Sequence, residues 1–232
     1  MKLAIMQPYF FPYIGYWQLI RAADLFLIYD DVNYIKNGWI NRNRILIDGK
    51  PRYITVDLRG ASSNKLISET QLLDNPSSRI RITKTLKQYY SKAPYFSQTY
   101  PLIEKLVLYD QNNLAQYLEY IILQVCFHLN ITTTIQRSSE IPKNAALKGQ
   151  ERVIEICEIF GADQYLNPVG GQNLYSKQDF LNCGIELEFL KVGDIRYSQF
   201  TYPFVPNLSI IDVMMHNPTA DIQEMLGMFE IL

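Results

Sequence analysis

Short apolar runs alternate with amphipathic stretches along most of this chain. Leu3-Ala4-Ile5-Met6 reads as a short buried strand. An aromatic, proline-rich loop comes next, then a helix over roughly Ile14 to Ala23. Leu25 to Tyr29 is continuously apolar, the mark of a strand buried on both faces of a parallel sheet. Strand, helix and strand in about 30 residues make a βαβ unit with a right-handed crossover. Arg44 to Asp48 and Arg52 to Asp57 alternate around Asp48-Gly49-Lys50, which predicts a hairpin. Gly60 to Lys65 is small and polar, a loop. From Pro76 to about His128 the pattern turns helical, starting at Asn75-Pro76 or Ser77 and punctuated by Pro94 and Pro101. In its last helix Leu114, Leu118, Ile121, Ile122 and Val125 share one face.

Beyond it, Ile131 to Ile135 predicts a β-branched strand. Gly149 to Phe160 predicts a helix stopped by Gly161. Gln164-Tyr165-Leu166 is a short strand, and Phe180 to Cys183 ends a helix at Gly184. Ile185 to Leu190 alternates as a strand. Leu208 to Met215 and Ala220 to Leu232 close the chain as helices. There is no repeat, linker or low-complexity tract. The expected fold is α/β: a mostly parallel, Rossmann-like (nucleotidyltransferase-like) sheet with C-terminal helices. One domain, 1–232, carries a helical insertion at about 76–129.

Composition narrows the function classes. Of 232 residues 48% are hydrophobic and 19% charged, a globular balance. The net charge of -1 argues against an electrostatic grip on nucleic acid. Cys126, Cys157 and Cys183 are far apart in apolar segments with no Cys-x-x-Cys pair. They read as buried small hydrophobes in a reducing compartment, not a disulfide framework or zinc site. Met1 to Met6 is too short for a signal-peptide core, and no apolar run approaches the ~20 residues that span a bilayer. The expected location is the cytoplasm. The 17 tyrosines stand out, many of them in Pro- and Gly-rich loops. Such rings line sugar or base pockets, or else pack loops onto the core.

Ligands in open α/β sheets bind beyond the carboxyl ends of strands. The loop Gln7–Tyr13 leaves the first strand and the segment Asp30–Arg44 leaves the second, so both should face one crevice. The first, through Trp17, offers Gln7, Tyr9 and Tyr16 as pocket residues on a backbone stiffened by Pro8 and Pro12. Gly15-Tyr16-Trp17 stands where a nucleotidyltransferase signature would place Gly-His, without the imidazole. In the second, Asp30 and Asp31 could hold Mg²⁺ with substrate phosphates or accept hydrogen bonds from a sugar or an amine. One of them capping a turn is the structural alternative. Asn33, Trp39, Asn41, Arg42, Asn43 and Arg44 are the candidate binding residues there. Arg42 and Arg44 share a face of an extended segment and suit phosphate or carboxylate.

Three further segments qualify. Lys148-Gly149 opens a helix whose N-terminus suits an anion, though the spacing is not a P-loop. Asn167, Gly170, Gly171, Gln172 and Tyr175 come after another strand; the paired glycines either let backbone approach a ligand or supply a positive-φ turn. Tyr197 to Asp212 brings Asp212 onto an apolar helix, where an ion pair with an arginine or a solvated face is expected, and Asn207 or Ser209 as caps. His128 and His216 lack partner motifs, and no metal site is expected.

These segments, in this order, resemble the WbqC-like family. The matching residues are Gln7-Pro8-x-x-x-Pro12-x-x-Gly15-Tyr16; Asp30-Asp31-Val32; Asn41-Arg42-Asn43; Lys148-Gly149-x-x-Arg152; Tyr165-Leu166 with Gly170-Gly171 and Tyr175; and Phe204-x-Pro206-x-Leu208-Ser209-Ile210-x-Asp212. The likeness covers nearly the whole chain. One departure is Met6, where many relatives carry His directly before Gln-Pro. The resemblance implies a role in O-antigen or other surface-glycan synthesis, with glycyl or acyl transfer to the amino group of a nucleotide-linked amino sugar. Asp30, Asp31 and Lys148 are then the catalytic candidates, and ATP and Mg²⁺ the cofactors such chemistry would draw on. A non-catalytic sugar-nucleotide binder and a degenerate nucleotidyltransferase are the alternatives. Neither a membrane nor nucleic acid is an expected partner, and a homo-oligomer stays open.

Overall fold

The computed structural model describes residues 1–200 and 203–232. In chain order the elements are β1 (Lys2–Met6), α1 (Ile14–Ala22), β2 (Leu25–Ile28), β3 (Arg42–Ile47), β4 (Lys50–Thr55), β5 (Leu58–Arg59), β6 (Gln71–Leu72), α2 (Ser77–Tyr90), α3 (Phe96–Val107), α4 (Leu114–His128), β7 (Thr134–Arg137), α5 (Gly149–Phe160), β8 (Gln164–Pro168), α6 (Lys177–Asn182), β9 (Glu186–Val192), α7 (Ile210–His216), α8 (Thr219–Met225) and β10 (Phe229–Ile231). The central sheet has six strands in the order β10-β9-β8-β1-β2-β7. All neighbours are parallel except β9 and β10. The α/β class with a mostly parallel sheet is therefore as the residue pattern predicts.

Apolar runs without alternation are explained by the two faces of the sheet. Leu3, Ile5, Leu25 and Leu27 pack on one face with Val153, Ile156 and Cys157 of α5 and Phe180 of α6. Ala4, Phe26 and Ile28 pack on the other with α1, α2, α3 and α4. In α4 the face of Leu114, Leu118, Ile121, Ile122 and Val125 is buried.

Two elements differ from expectation. The strand predicted at Ile131 to Ile135 lies at Thr134–Arg137, because Asn130 at φ 52 and the bond from Ile131 N to Cys126 O finish α4 first. The helix predicted over Ala220 to Leu232 ends at Met225. Gln18 Nε2 binds the carbonyls of Met225 and Met228 at 2.8 and 2.9 Å. The chain then turns at Gly227, and Phe229 to Ile231 pairs with β9. That pairing covers a sheet edge that would otherwise expose its ladder groups.

Candidate functional site

Strand order reverses at β1: the chain moves from it through α1 to β2 on one side, and returns later as β8 on the other. Such a switch point leaves a crevice, since the loops after the two strands diverge. A cavity of about 1090 Å³ lies there. Gln7, Tyr9, Tyr13 and Tyr16 line it from the first loop, and Asn167, Gly170, Gly171 and Tyr175 from the β8 side. Trp39, Asn43 and Arg44 come from the hairpin side, and Lys191 to Tyr197 from the end of β9 and the segment beyond it.

The first loop is held rigidly. Phe11 is fully buried at φ 42, a left-handed conformation costly for an aromatic residue. Its surroundings fix it there. Asn43 Nδ2 donates to the Phe10 and Phe11 carbonyls at 3.1 and 2.9 Å, and Ser209 Oγ donates to the Phe11 carbonyl at 2.7 Å. Trp17 Nε1 donates to the Pro12 carbonyl at 3.0 Å. A side chain at Gly15 would lie within 2.6 Å of Val192 Cγ2, so glycine lets α1 sit against the end of β9. Tyr16 reaches back with its hydroxyl to the Gln7 carbonyl at 3.1 Å. Burial pushes the hydroxyls of Tyr9, Tyr13 and Tyr16 above their ordinary range, so all three stay protonated at neutral pH.

Neither Gly170 nor Gly171 has a positive φ, so the turn explanation for the glycine pair fails. Gly171 is needed because a Cβ there would collide with the side-chain amide of Asn167, which is buried at the cavity wall. Around Gly170 nothing stands within 4 Å of where a Cβ would be.

A model of the WbqC-like protein family matches residues 7–224. The chain belongs to this family. A protein of Mycobacterium tuberculosis that bears the name "Uncharacterized protein Rv1507c" is 29% identical over 219 residues, 93% of each chain. No solved structure matches.

The candidate binding residues do different work. Gln7, Tyr9, Tyr16, Trp39, Asn43, Arg44, Asn167, Gly170, Gly171 and Tyr175 converge on the cavity. Asn33, Asn41, Arg42 and Gln172 do not line it. Asn41 accepts the Tyr34 hydroxyl at 2.8 Å and donates to the Val56 carbonyl at 2.8 Å, which braces the hairpin. Arg42 bonds the Asn37 and Gly38 carbonyls and lies 4.3 Å above the Tyr53 ring. Asn33 and Gln172 are exposed elsewhere on the surface.

Asp30, Asp31 and Lys148 are not brought to the cavity either. Asp30 is fully buried, and its two oxygens accept from Ser139 N and Ser139 Oγ at 2.9 and 2.7 Å. Asp31 Oδ2 is shared by Lys143 Nζ at 2.7 Å and by the Arg152 guanidinium. That guanidinium also lies 5.6 Å from the centre of the Tyr29 ring. Three of the four oxygens are engaged by cations and by Ser139, and Asp31 Oδ1 alone is left, buried and without a partner, so the pair offers too few free oxygens for a Mg²⁺ ion. Among the described residues no group of three or more His, Cys, Asp or Glu side chains stands together as a metal would need. Lys148 is exposed at the start of α5, where Gly149 at φ 54 makes the turn into the helix.

Asp212 is fully buried, but without the expected arginine. It accepts the Tyr90 hydroxyl at 2.6 Å, the Tyr197 hydroxyl at 2.7 Å and Gln199 Nε2 at 3.1 Å. His216 Nδ1 lies 2.9 Å from the Asp212 carbonyl. Phenols satisfy the carboxylate because α2 and the segment after β9 both meet α7 there. Burial, with the Asp212 charge adding to it, holds the Tyr90 and Tyr197 hydroxyls well above their ordinary range. The segment from Tyr197 onward includes residues 201 and 202, which lie outside the described residues. Residues 191–196 form a wall that the motifs do not point to, although β9 itself is legible. The strand-end rule, applied to the carboxyl end of β9, is the signal that finds them. Cys126 and Cys157 are buried as expected, whereas Cys183, at the end of α6, is exposed.

Proposed function

We propose that this WbqC-like protein binds a nucleotide-linked amino sugar in the switch-point cavity and forms an amide on its amino group, by aminoacyl (glycyl) or acyl transfer, in the synthesis of a surface polysaccharide. The observation that carries this reading is a cavity of about 1090 Å³ walled by tyrosines and side-chain amides. Sites for small organic ligands run to ~1,000 Å³, apolar in the main with a few polar groups that fix orientation. Tyr9, Tyr13 and Tyr175 offer rings to a sugar, with Tyr16 packed behind Tyr9, while Gln7 and Asn167 offer amides to its hydroxyls. Protonated phenols can donate to a developing oxyanion without changing charge. Holding amine and acyl carbon together in such a cavity lowers the entropic part of the barrier.

A second reading, a binding protein without turnover, is favoured by the engagement of Asp30 and Asp31 with internal partners. One experiment separates the two. The protein is incubated with a nucleotide-linked 4-amino sugar and, in parallel, with glycine plus ATP or with an acyl thioester. Mass spectrometry then reads the sugar nucleotide. A gain of one glycyl or acyl group is the expected result. Saturable binding with no mass gain from any donor would sink the transfer reading and leave the binding one.

A further inference from the structure

Three cations line the cavity: Arg44, Lys191 and Arg196. Lys191 Nζ pairs with Glu230 at 3.1 Å and Arg196 Nε with Asp194 at 3.0 Å, all on the open surface. Arg44 differs. Among the described residues it has no carboxylate within 4.0 Å. It is half-buried, and its Nε is wholly buried with no hydrogen-bond partner. One terminal nitrogen makes a long 3.4 Å contact to the Asn207 carbonyl. Its backbone is fixed on both sides, since Arg44 N donates to Asn43 Oδ1 at 2.8 Å and Ser209 N donates to the Arg44 carbonyl at 2.8 Å. The guanidinium carbon lies 5.4 Å from the centre of the Trp39 ring, whose attraction helps hold it.

A partly desolvated guanidinium without a counter-charge is costly, and its planar fork matches two oxygens of one phosphate. We infer that Arg44 is the docking point for a phosphate of the ligand, and that this sets the ligand's direction in the cavity. The diphosphate lies at the hairpin end, against Arg44 and Trp39. The sugar lies at the switch point, among Gln7, Asn167 and Tyr175. This rests on the proposed sugar-nucleotide reading for the sugar end only, because the phosphate end follows from Arg44 alone.

Tryptophan emission tests it without any turnover assay. The chain has two tryptophans; Trp17 is fully buried and Trp39 is 36% exposed at the cavity. Inorganic pyrophosphate, and then a uridine diphosphate-linked amino sugar, is titrated into the full-length protein at constant ionic strength. The expected result is a saturable change in emission that Trp39→Phe abolishes. Arg44→Ala should raise the Kd for pyrophosphate at least tenfold, while Arg52→Ala, on the exposed face of β4, leaves it unchanged. Gly171→Ala, which displaces Asn167, should weaken the sugar nucleotide at least tenfold and leave pyrophosphate untouched. Melting curves confirm that each variant is folded. Equal pyrophosphate affinity in Arg44→Ala and the parent overturns the phosphate site. Equal loss of both ligands in Gly171→Ala overturns the assigned direction. If pyrophosphate binds at Arg44 but the amino sugar nucleotide binds no better than pyrophosphate, the phosphate site stands and the sugar reading of the cavity falls.

Discussion

The carboxyl ends of β1 and β2 are neighbours in one sheet, yet they carry opposite kinds of chemistry. At β2 each charge has an internal partner, although Asp31 Oδ1 and Arg152 Nε make no hydrogen bond: Asp30 caps the turn at Ser139, and Asp31 ties Lys143 to Arg152. At β1 the polar groups face a cavity, and one cation of its wall, Arg44, is left without a carboxylate among the described residues. Topology accounts for the contrast. β2 lies beside β7, and the chain leaving β7 folds straight over the end of β2 through Ser139 and Lys143. β1 lies beside β8, and their onward helices, α1 and α6, pack on opposite faces of the sheet. Adjacent carboxylates at a strand end are therefore weak evidence for a site unless the next strand diverges from it.

The largest test of this contrast is Asp31→Ala. It would leave Lys143 and Arg152, with side chains 5% and 15% exposed, without their shared partner. Breaking a buried pair by removing one member costs about 3–5 kcal/mol. Urea unfolding should show a loss of that order, with pyrophosphate binding at the cavity unchanged once the protein is folded. A loss under about 1 kcal/mol, with binding lost instead, would return Asp31 to the site and erase the distinction between the two strand ends.

On the other side of the comparison, Asn43→Ala removes two bonds to the carbonyls that hold Phe11 in its strained conformation. The Phe11 carbonyl keeps Ser209 Oγ, but the Phe10 carbonyl loses its side-chain donor, and an unsatisfied buried carbonyl costs about 1–3 kcal/mol. Here the effect should fall on both stability and the cavity, with melting temperature and sugar-nucleotide affinity dropping together. Unchanged affinity would mean that the first loop does not depend on the hairpin for its shape.

Much of this architecture is legible along the chain. The apolar run Leu25 to Tyr29 announces a buried parallel strand, and the 3.6-residue spacing of Leu114 to Val125 announces α4. Placing functional loops after the first strand and after Gln164-Tyr165-Leu166 needs only the strand-end rule. Features that stay hidden depend on tertiary partners. Nothing local tells Arg42 from Arg44, two residues apart on one strand face. Their difference is that Arg42 meets the Asn37 and Gly38 carbonyls and Arg44 does not. The pattern around Asp212 suggests an arginine, because its phenol partners come from positions 90 and 197, neither adjacent to it along the chain. The last strand is invisible to periodicity, since Phe229-Glu230-Ile231 is too short to distinguish from a helix end without the open edge of β9 beside it.

Alkaline titration gives a smaller effect and samples both regions. Burial pushes Tyr29 up to about 12, beside Arg152 at the β2 end, and raises Tyr9, Tyr13 and Tyr16 at the β1 end. A phenol whose folded pKa is raised keeps its proton where the unfolded chain, near about 10, has lost it. The unfolded state then binds fewer protons, so stability is intact below about pH 10 and falls as pH climbs towards 12. Denaturation midpoints between about pH 8 and 12 should be flat at first and then decline. Tyr29→Phe should make the decline shallower; an unchanged slope would mean that Tyr29 is as accessible as a free tyrosine.

The smallest effect uses the cysteines to ask whether the sheet stays closed while the switch-point crevice is open. Cys126 belongs to the core on the α1 face and Cys157 to the core on the α5 face. Burial pushes both thiols up to about 12, so neither supplies thiolate at neutral pH. Cys183, at the end of α6, is exposed. A chromogenic disulfide reagent should therefore titrate one thiol promptly in the native protein and three after denaturation, and Cys183→Ser should remove the prompt one. Ligands filling the cavity should not alter the slow pair, because neither cysteine lines it. Prompt reaction of Cys126 would mean that the packing between α4 and the first loop opens readily. The rigidity assigned to the β1 end through Asn43, Ser209 and Trp17 would then be lost, and with it the argument that this end of the sheet is a preformed site.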